Sequence, residues 1–504
     1  MLIGLALPAA VWAQDAEPDL GTEAQREAGR AVYDQKCAQC HGPEGAGDGI
    51  ATPYVRPAPR DFTGGIFKFR STQSGELPTT EDIRRSIREG MPYTSMPAWK
   101  GILSEQQITN LAYYLKTFTD DFSGPYGVPE EAVIPRPPGF DEGHLARGRE
   151  VFMENQCADC HGDQGRGDGP SAPTLEDQWG FHIRPADLTK RWTFRNGQTR
   201  QDIYRTFTTG LDGSPMPSYD MPEEDRWALV DYVWSLSRDE AGYDQLALAA
   251  PVPEVDLSRG EALFAEAQPA YFPVVGQIID PGRSFYPGVN GVELKAVYDD
   301  DDVAFLVIWH DMTAETSGRN HPTMDAPDDP AAVDSAGTFS DAIALQFPET
   351  VRPGVEKPYF LFGDAKNPVH LWHADLAADG ATVLTGRGQD DIQPTDGAAV
   401  EMTARYEDGR WVALFRAPRL PEAGPRFEEE TFVPVAVSVW DGFYRERGPK
   451  RGITSWYSVY VEPAQTQSAA IPMAKWALIV LLGELLVVGL VRWRAKRRRE
   501  TVVA

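Results

Sequence analysis

Cysteine is scarce in this sequence, and all of it is spent in two matching arrangements. The chain has 504 residues and only four cysteines, at positions 37, 40, 157 and 160. Once these are committed, none is left for a disulfide framework or an iron–sulfur cluster. Positive charge is also in short supply, with 48 Lys and Arg against 75 Asp and Glu, a formal net charge of −27. A body this acidic is a poor binder of nucleic acid and suits the docking of basic partners. No nucleophile triad, phosphate-cradling loop or closed metal cage stands out, which argues against turnover of a substrate by this polypeptide alone. The chain is too long for one core, and about three domains of about 100–200 residues are expected. With 42% hydrophobic and 11% aromatic residues, each has enough apolar surface to bury.

Long apolar runs are few. Residues 2–13 form a short one ending Val11-Trp12-Ala13, which reads as an export signal cleaved before Gln14. Its basic leading region is missing, so the natural start is expected upstream. A second run covers residues 471–491, interrupted by Lys475 and Glu484. At 1.5 Å rise per residue it is long enough to cross a bilayer. Lys475 lies near one end and can snorkel. Glu484 sits near the middle, where a carboxylate is costly and points to contact with another transmembrane helix. The tail 492–504 holds six Lys and Arg against one acid, and without it the rest carries 42 basic against 74 acidic residues, a net −32. By the positive-inside rule that tail is cytoplasmic. The bulk of the chain is then periplasmic, anchored in the inner membrane by one pass.

The cysteines lie in Cys37-Ala38-Gln39-Cys40-His41 and Cys157-Ala158-Asp159-Cys160-His161. C-x-x-C-H is the attachment signature of c-type haem: two thiols bond the porphyrin and the adjacent imidazole meets the iron. One such motif alone could be a redox dithiol or half a zinc site. Two, in an exported chain with no cysteine left over, leave haem.

The similarity runs past the motifs. His41 leads into GPEGAGDG and His161 into GDQGRGDG, glycine-rich loops that let backbone approach a flat cofactor. Asp82-Ile83 matches Asp202-Ile203, Gly90 matches Gly210, and Ser95-Met96-Pro97 matches Pro215-Met216-Pro217. Each methionine follows its motif histidine by 55 residues. Helical runs at 108–115 and 227–234 close the two units. This is an internal duplication. A thioether is a soft ligand for low-spin haem iron, so Met96 and Met216 are the expected distal ligands opposite His41 and His161. Met91 competes with Met96, but its counterpart is Leu211; Met221 competes with Met216 and has no counterpart.

On these motifs the segment 25–238 resembles a tandem dihaem class I cytochrome c, with all-α domains expected at 25–120 and 141–238. The resemblance implies two haem c groups, each in a small helical domain that exposes an edge for electron exchange. With both axial positions filled, electron transfer is expected over substrate chemistry.

Beyond Pro251-Val-Pro-Glu, read as a linker, the texture becomes short alternating runs at 292–298, 303–309, 342–347, 399–406, 411–415, 433–440 and 455–461. Turns such as Glu407-Asp408-Gly409 separate them. Many such strands without intervening helices predict an all-β antiparallel sandwich over 255–463. The strings Ile308-Trp309-His310-Asp311-Met312-Thr313, Phe339-Ser340-Asp341-Ala342, Asn367-Pro368-Val369-His370-Leu371-Trp372-His373 and Val439-Trp440-Asp441-Gly442 resemble the haem-binding domain of the ethylbenzene dehydrogenase γ-subunit family. That resemblance implies one haem b held between a methionine and a lysine, fed by a catalytic subunit with molybdenum and iron–sulfur centres. Lys450 matches the lysine; Met312 and Met324 are rivals for the methionine. The sequence departs from the family at Phe362-Gly363, where Met-Gly is frequent, and at the shortened Trp372-His373-Ala374, so His373 or His370 stands as an alternative ligand.

The expectation is therefore a multidomain electron-transfer subunit: two all-α cytochrome c domains, an all-β sandwich and one C-terminal transmembrane helix. Its partners would be molybdenum and iron–sulfur subunits and soluble or membrane cytochromes, with no nucleic acid. The alternative is a stand-alone membrane-anchored dihaem carrier between a quinol-oxidising complex and a terminal oxidase or reductase.

Overall fold

The computed structural model describes residues 17–237, 244–284, 287–327, 337–351, 357–395, 399–464 and 470–502. The expected export signal, 1–13, lies outside the described residues, as do the side chains of the basic tail beyond Arg494.

The first helical unit comprises α1 (Glu23–Lys36), α2 (Ala38–His41), α3 (Thr80–Glu89) and α4 (Glu105–Leu115). The second comprises α5 (Gly143–Glu154), α6 (Cys157–His161), α7 (Arg200–Thr209) and α8 (Glu223–Ser235). Each begins with the helix that enters the haem motif and ends with the helix that packs across it. The crossing is made by one glycine in each unit. A Cβ on Gly29 of α1 would overlap the Asn110 carbonyl of α4, and one on Gly148 of α5 the Ala228 carbonyl of α8. The third helix of each unit starts with the same capping box, Thr79 with Asp82 and Thr199 with Asp202, which satisfies orphan N–H groups at both ends of the exchange. The first core gathers Tyr33, Phe62, Phe67, Ile83, Ile108, Leu111 and Phe122. Phe122, 1% exposed, extends it beyond the expected boundary at 120. Ile134 likewise joins the second core ahead of residue 141.

The remaining chain is β-rich: β1 (Leu246–Pro251), β2 (Ala270–Pro273), β3 (Val275–Gly276), β4 (Gly291–Tyr298), β5 (Asp302–His310), β6 (Ala342–Pro348), β7 (Val369–Asp375), β8 (Thr382–Gly386), β9 (Ile392–Pro394), β10 (Glu401–Glu407), β11 (Arg410–Pro418), β12 (Phe432–Trp440), β13 (Gly452–Ile453) and β14 (Tyr457–Val461). They run in the order β10-β11-β5-β4-β1-β14-β12-β6-β7-β8-β9. The surface folds on itself at β12, which pairs with β14 through its first half and with β6 through its second. Phe305 of β5 thereby meets Phe347 of β6 and Trp372 of β7 across the core. The back of β5 is covered as well: Ala304, Leu306 and Ile308 pack with the 3-10 segment Leu257–Phe264. Burial on both faces is why β5 is a near-continuous apolar run.

Two expectations are corrected. The sheet is mixed, because β1 lies parallel to both β14 and β4. It also starts at Leu246, ahead of the expected boundary at 255, and Pro251 of the segment read as a linker ends β1. The short Ala-rich stretch Leu246-Ala-Leu-Ala-Ala-Pro251 carries little strand propensity, and its pairing comes from neighbours far along the chain. The turn at Asp408-Gly409 is as expected: both residues have positive φ (48° and 68°) and join β10 to β11, the geometry of a two-residue hairpin.

Helix α9 (Ala470–Val502) follows the β-rich part. Within it, Met473–Arg494 spans 22 residues with mean hydropathy 2.1. Among the described residues it is the one helix long and apolar enough to cross a membrane.

Candidate functional site

Each haem motif is a single tight turn. Cys37 caps α2, with the Cys40 and His41 N–H groups both directed at its carbonyl, 3.0 and 2.9 Å away. Two thiols three residues apart and the next residue's imidazole therefore project from one short segment. The imidazoles are then aimed by the backbone. His41 Nδ1 lies 2.9 Å from the Arg60 carbonyl and His161 Nδ1 lies 2.9 Å from the Ala186 carbonyl. A carbonyl only accepts, so Nδ1 carries the proton in both rings and Nε2 presents its lone pair. Burial lowers the pKa of both histidines, with the carbonyl bonds opposing it, so both rings are neutral ligands.

The loops after the motifs are built around a glycine that tolerates no side chain. Gly42 and Gly162 have φ of +78° and +76°, and a Cβ on either would overlap Oδ1 of Asp48 or Asp168. The loops close with matching bonds, Gly47 N–H to the His41 carbonyl at 2.9 Å and Gly167 N–H to the His161 carbonyl at 2.8 Å. Asp48 and Asp168 were visible in the duplicated Gly-Asp-Gly strings but were not singled out from the sequence.

The methionine loops also match. The Met91 N–H donates to the Met96 carbonyl and the Leu211 N–H to the Met216 carbonyl, both at 3.0 Å. Thr94 Oγ1 bonds the Met91 carbonyl at 2.8 Å and Ser214 Oγ the Leu211 carbonyl at 2.6 Å. Met96 and Met216 thus occupy equivalent, half-buried positions, with Met91 aligned to Leu211. Met216 and Met221 both pack on the second core.

Burial raises the Cys37 thiol to about 12, with Cys40 adding to it, and the Cys157 thiol to about 11. These free thiols stand in for the thioethers of a haem-bearing chain. The donor set in each unit fits haem c: a thiol pair, a neutral imidazole of fixed tautomer, a thioether and a glycine loop with no room for a side chain.

The second unit lies between its two neighbours. Toward the first, Arg60 Nη1 donates to Gln178 Oε1 at 3.0 Å and Arg56 stacks 4.0 Å over Phe181. Toward the β-rich part, Arg184 donates to the Tyr444 hydroxyl at 2.8 Å and to the Pro287 and Gly288 carbonyls. The same Tyr444 hydroxyl lies 2.7 Å from His182 Nδ1. Lys190 donates to Asn290 and Arg166 to the Asp408 carbonyl, at 3.0 and 2.7 Å. Most of these contacts come from one loop. The interval from the motif histidine to its carbonyl partner is 19 residues in the first unit and 25 in the second, and that longer loop carries Gln178, Phe181, His182 and Arg184.

The residues that the resemblance implies for a b haem lie on β7 and in the loops that follow β5 and β12. Lys450 donates to the Tyr444 carbonyl at 3.4 Å in the loop docked on the second unit, and burial lowers its pKa against the opposing pull of Glu446. Met312 follows β5 beside Asp311. The Met324 carbonyl abuts Gly448, where a Cβ would overlap it. At Phe362, in place of the frequent methionine, a fully buried ring is stacked 3.9 Å beneath Arg451. His373 is 3% exposed, and its Nε2 has no partner among the described residues. His370 instead faces Glu349 at 3.9 Å. That places it toward the far end of β6, beside a cleft of about 800 Å³ lined by Pro348, Glu349, Lys357 and Phe432.

Residues 24–115 match the family described as cytochrome C oxidase, cbb3-type, subunit III, and residues 145–237 match the cytochrome c family. A candidate respiratory nitrate reductase haem subunit of Haloferax mediterranei is 33% identical over 124 residues, 24% of this chain and 42% of that protein. The cbb3-type cytochrome c oxidase subunit CcoP of Cereibacter sphaeroides is 27% identical over 183 residues, 36% of this chain and 54% of that one. The chain spans about half the length of the curated relatives it matches. A solved chain of the reducing HAO-like protein complex of Kuenenia stuttgartiensis is 42% identical, covering 44% of this chain and all of that one, with a TM-score of 0.41. The chain thus carries cytochrome c domains, a β-rich domain and a candidate membrane span.

Proposed function

We propose that this chain is the membrane-anchored electron-transfer subunit of a respiratory oxidoreductase, and that it passes electrons between a catalytic partner and cytochrome c or the respiratory chain. The observation that carries the reading is the pair of equivalent ligand frames, each with its imidazole locked by a backbone carbonyl. Cys37 and Cys40, and Cys157 and Cys160, would hold the porphyrin covalently, and His41, His161, Met96 and Met216 would supply the iron ligands. Haem c bound there supplies one-electron redox chemistry and leaves no open coordination position. Arg60, Gln178, Arg184 and Tyr444 hold the two haem units and the β-rich domain together as one relay body. The helix Ala470–Val502 anchors it, with the bulk of the chain in the periplasm and the C-terminus in the cytoplasm.

The partner is proposed to be a molybdenum enzyme with iron–sulfur subunits, a reading supported by the relative described as a nitrate reductase haem subunit. The likeness of residues 24–115 to a cbb3 oxidase subunit favours a second reading, a carrier delivering electrons to a terminal oxidase. The β-rich domain then has no assigned role. Extraction from native membranes in mild detergent, followed by metal analysis, separates the two. Stoichiometric molybdenum with additional subunits is expected; a chain that purifies without molybdenum overturns the first reading in favour of the second. A pyridine haemochrome spectrum of the same material showing c-type bands only would dispose of the haem b that the resemblance implies.

A further inference from the structure

Three carboxylates converge in the β-rich domain, close to the loop that docks on the second cytochrome unit. Asp311 directly follows β5, Glu315 lies four residues further on, and Asp441 directly follows β12. One oxygen from each lies within 4.8 Å of the other two. Asp311 is 5% exposed and Asp441 2%. Two more acids flank them, and these are satisfied. Asp341 accepts from the Gly442 and Glu315 N–H groups, each at 2.8 Å, and from Trp411 Nε1 at 3.0 Å. Glu446 accepts from the Gly288 and Asp441 N–H groups at 2.9 and 3.1 Å.

Of the converging three, Asp441 Oδ1 accepts the Tyr444 N–H at 3.2 Å and Glu315 Oε1 the Thr313 hydroxyl at 2.7 Å, while Asp311 is left short. Among the described residues, neither carboxylate oxygen of Asp311 has a hydrogen-bond partner of good geometry, and Glu315 Oε2 has none. Arg184 acts on Asp441 through its charge, but its hydrogen bonds go to Tyr444, Pro287 and Gly288. A buried carboxylate with neither donor nor counter-ion costs several kcal/mol, roughly the penalty of stranding a desolvated charge. A cation among the three oxygens removes that cost for Asp311 and gives Glu315 Oε2 a partner.

We propose that Asp311, Glu315 and Asp441 bind a hard divalent cation, Ca2+ by the chemistry of its ligands. An all-oxygen, carboxylate-rich set drawn from loop ends of two strands suits Ca2+, which takes 6–8 oxygens in adaptable geometry and completes its shell with water or carbonyls. The ion fixes the loop after β12. Asp441 Oδ1 accepts the Tyr444 N–H at 3.2 Å, and the Tyr444 hydroxyl is the group shared by His182 and Arg184 of the second cytochrome unit. The site therefore stiffens the seam between the β-rich domain and that unit. It does not depend on which enzyme the chain serves.

The test uses the full haem-loaded chain in detergent, stripped with a chelator and dialysed against about 1 mM CaCl2, the range of extracellular-type sites. About one tightly held calcium per chain is expected, and melting of the β-rich domain should rise by about 3 °C or more. Asp311→Asn should abolish both effects while melting no lower than wild type in chelator, because it removes an unpaired buried charge. Glu315→Gln, at a half-buried position, should weaken binding at least tenfold with the haem spectrum unchanged. Absence of bound calcium in the wild-type chain, or a calcium response that both variants retain in full, overturns the proposal.

Discussion

Arg70 and Asp212 form an ion pair between the two cytochrome units, with the guanidinium 2.8 Å from the carboxylate and its side chain fully buried. The same guanidinium donates to the Thr209 carbonyl of the second unit at 2.8 Å and to the Phe67 and Gln73 carbonyls of its own, each at 3.1 Å. A cation this deep depends on its one carboxylate partner; the Asp212 side chain keeps 23% exposure, so water screens the acid and not the base.

Removing the acid should therefore be severe. Asp212→Ala strands the guanidinium and is expected to cost about 3 kcal/mol, the lower end for breaking a buried pair. Denaturant unfolding followed at the Soret band of the haem-loaded chain measures it. A loss below about 1 kcal/mol would show that Arg70 is held by the carbonyls alone.

Gly42 and Gly162 should be equally intolerant. Alanine at either position must adopt a strained positive φ, at about 1–3 kcal/mol, and displace Asp48 or Asp168 from the loop. The expected outcome is a severalfold fall in covalent haem at the altered unit alone, read as haem stain per chain. Normal haem loading in Gly42→Ala would mean that the loop is not part of the haem cradle.

Replacing Met96 or Met216 with alanine should lower the potential of one haem, by on the order of 0.1 V within the ≈ 0.8 V that axial ligands span. The same haem should become reactive to CO. Met91→Ala should change neither property. Redox titration of the three variants checks this, and unchanged potentials in both Met96 and Met216 variants would remove those residues as ligands.

The buried acids make a pH-dependent prediction. Burial, reinforced by Asp441, raises Asp341 to about 8 and Glu446 to about 8; burial raises Asp441 to about 6, with Arg184 opposing. Asp311 is raised well above the usual carboxylate range by burial and by Asp441, Asp341 and Glu315. Lys450 faces Glu446 from the same loop. Folded pKa values above the unfolded ones mean that the folded state holds more protons between about pH 4 and 8. In chelator, the contribution of these acids to stability is thus fullest below about pH 4 and is lost as pH rises through about 6 to 8. Calcium needs the deprotonated ligands, so its increment in melting temperature should grow from pH 5 to pH 8. A pH-independent increment would contradict this.

Much of the fold is legible because its signals are local. The runs at 292–298, 303–309, 342–347 and 433–440 coincide with β4, β5, β6 and β12, since two-sided burial writes apolar residues into consecutive positions. Strand β1 escaped because Leu246–Pro251 is alanine-rich and runs into Pro251 and Pro253, and its partners Ala296 and Ser458 are far along the chain. At Phe362, where the sequence departs from the family it resembles, the fold sets a buried ring against Arg451.

The sequence by itself determined what covalent spacing can encode: two C-x-x-C-H turns, a methionine 55 residues beyond each histidine, a hairpin at Asp408-Gly409 and a long apolar helix. Only the tertiary structure decided which carbonyl aims each imidazole, that Arg70 meets Asp212, and that Asp311, Glu315 and Asp441 share one point. Every residue carries a backbone carbonyl, so Arg60 and Ala186 leave no mark of their role in the residue type. Groups brought together across more than a hundred residues are joined by strand register and packing, which no local pattern records.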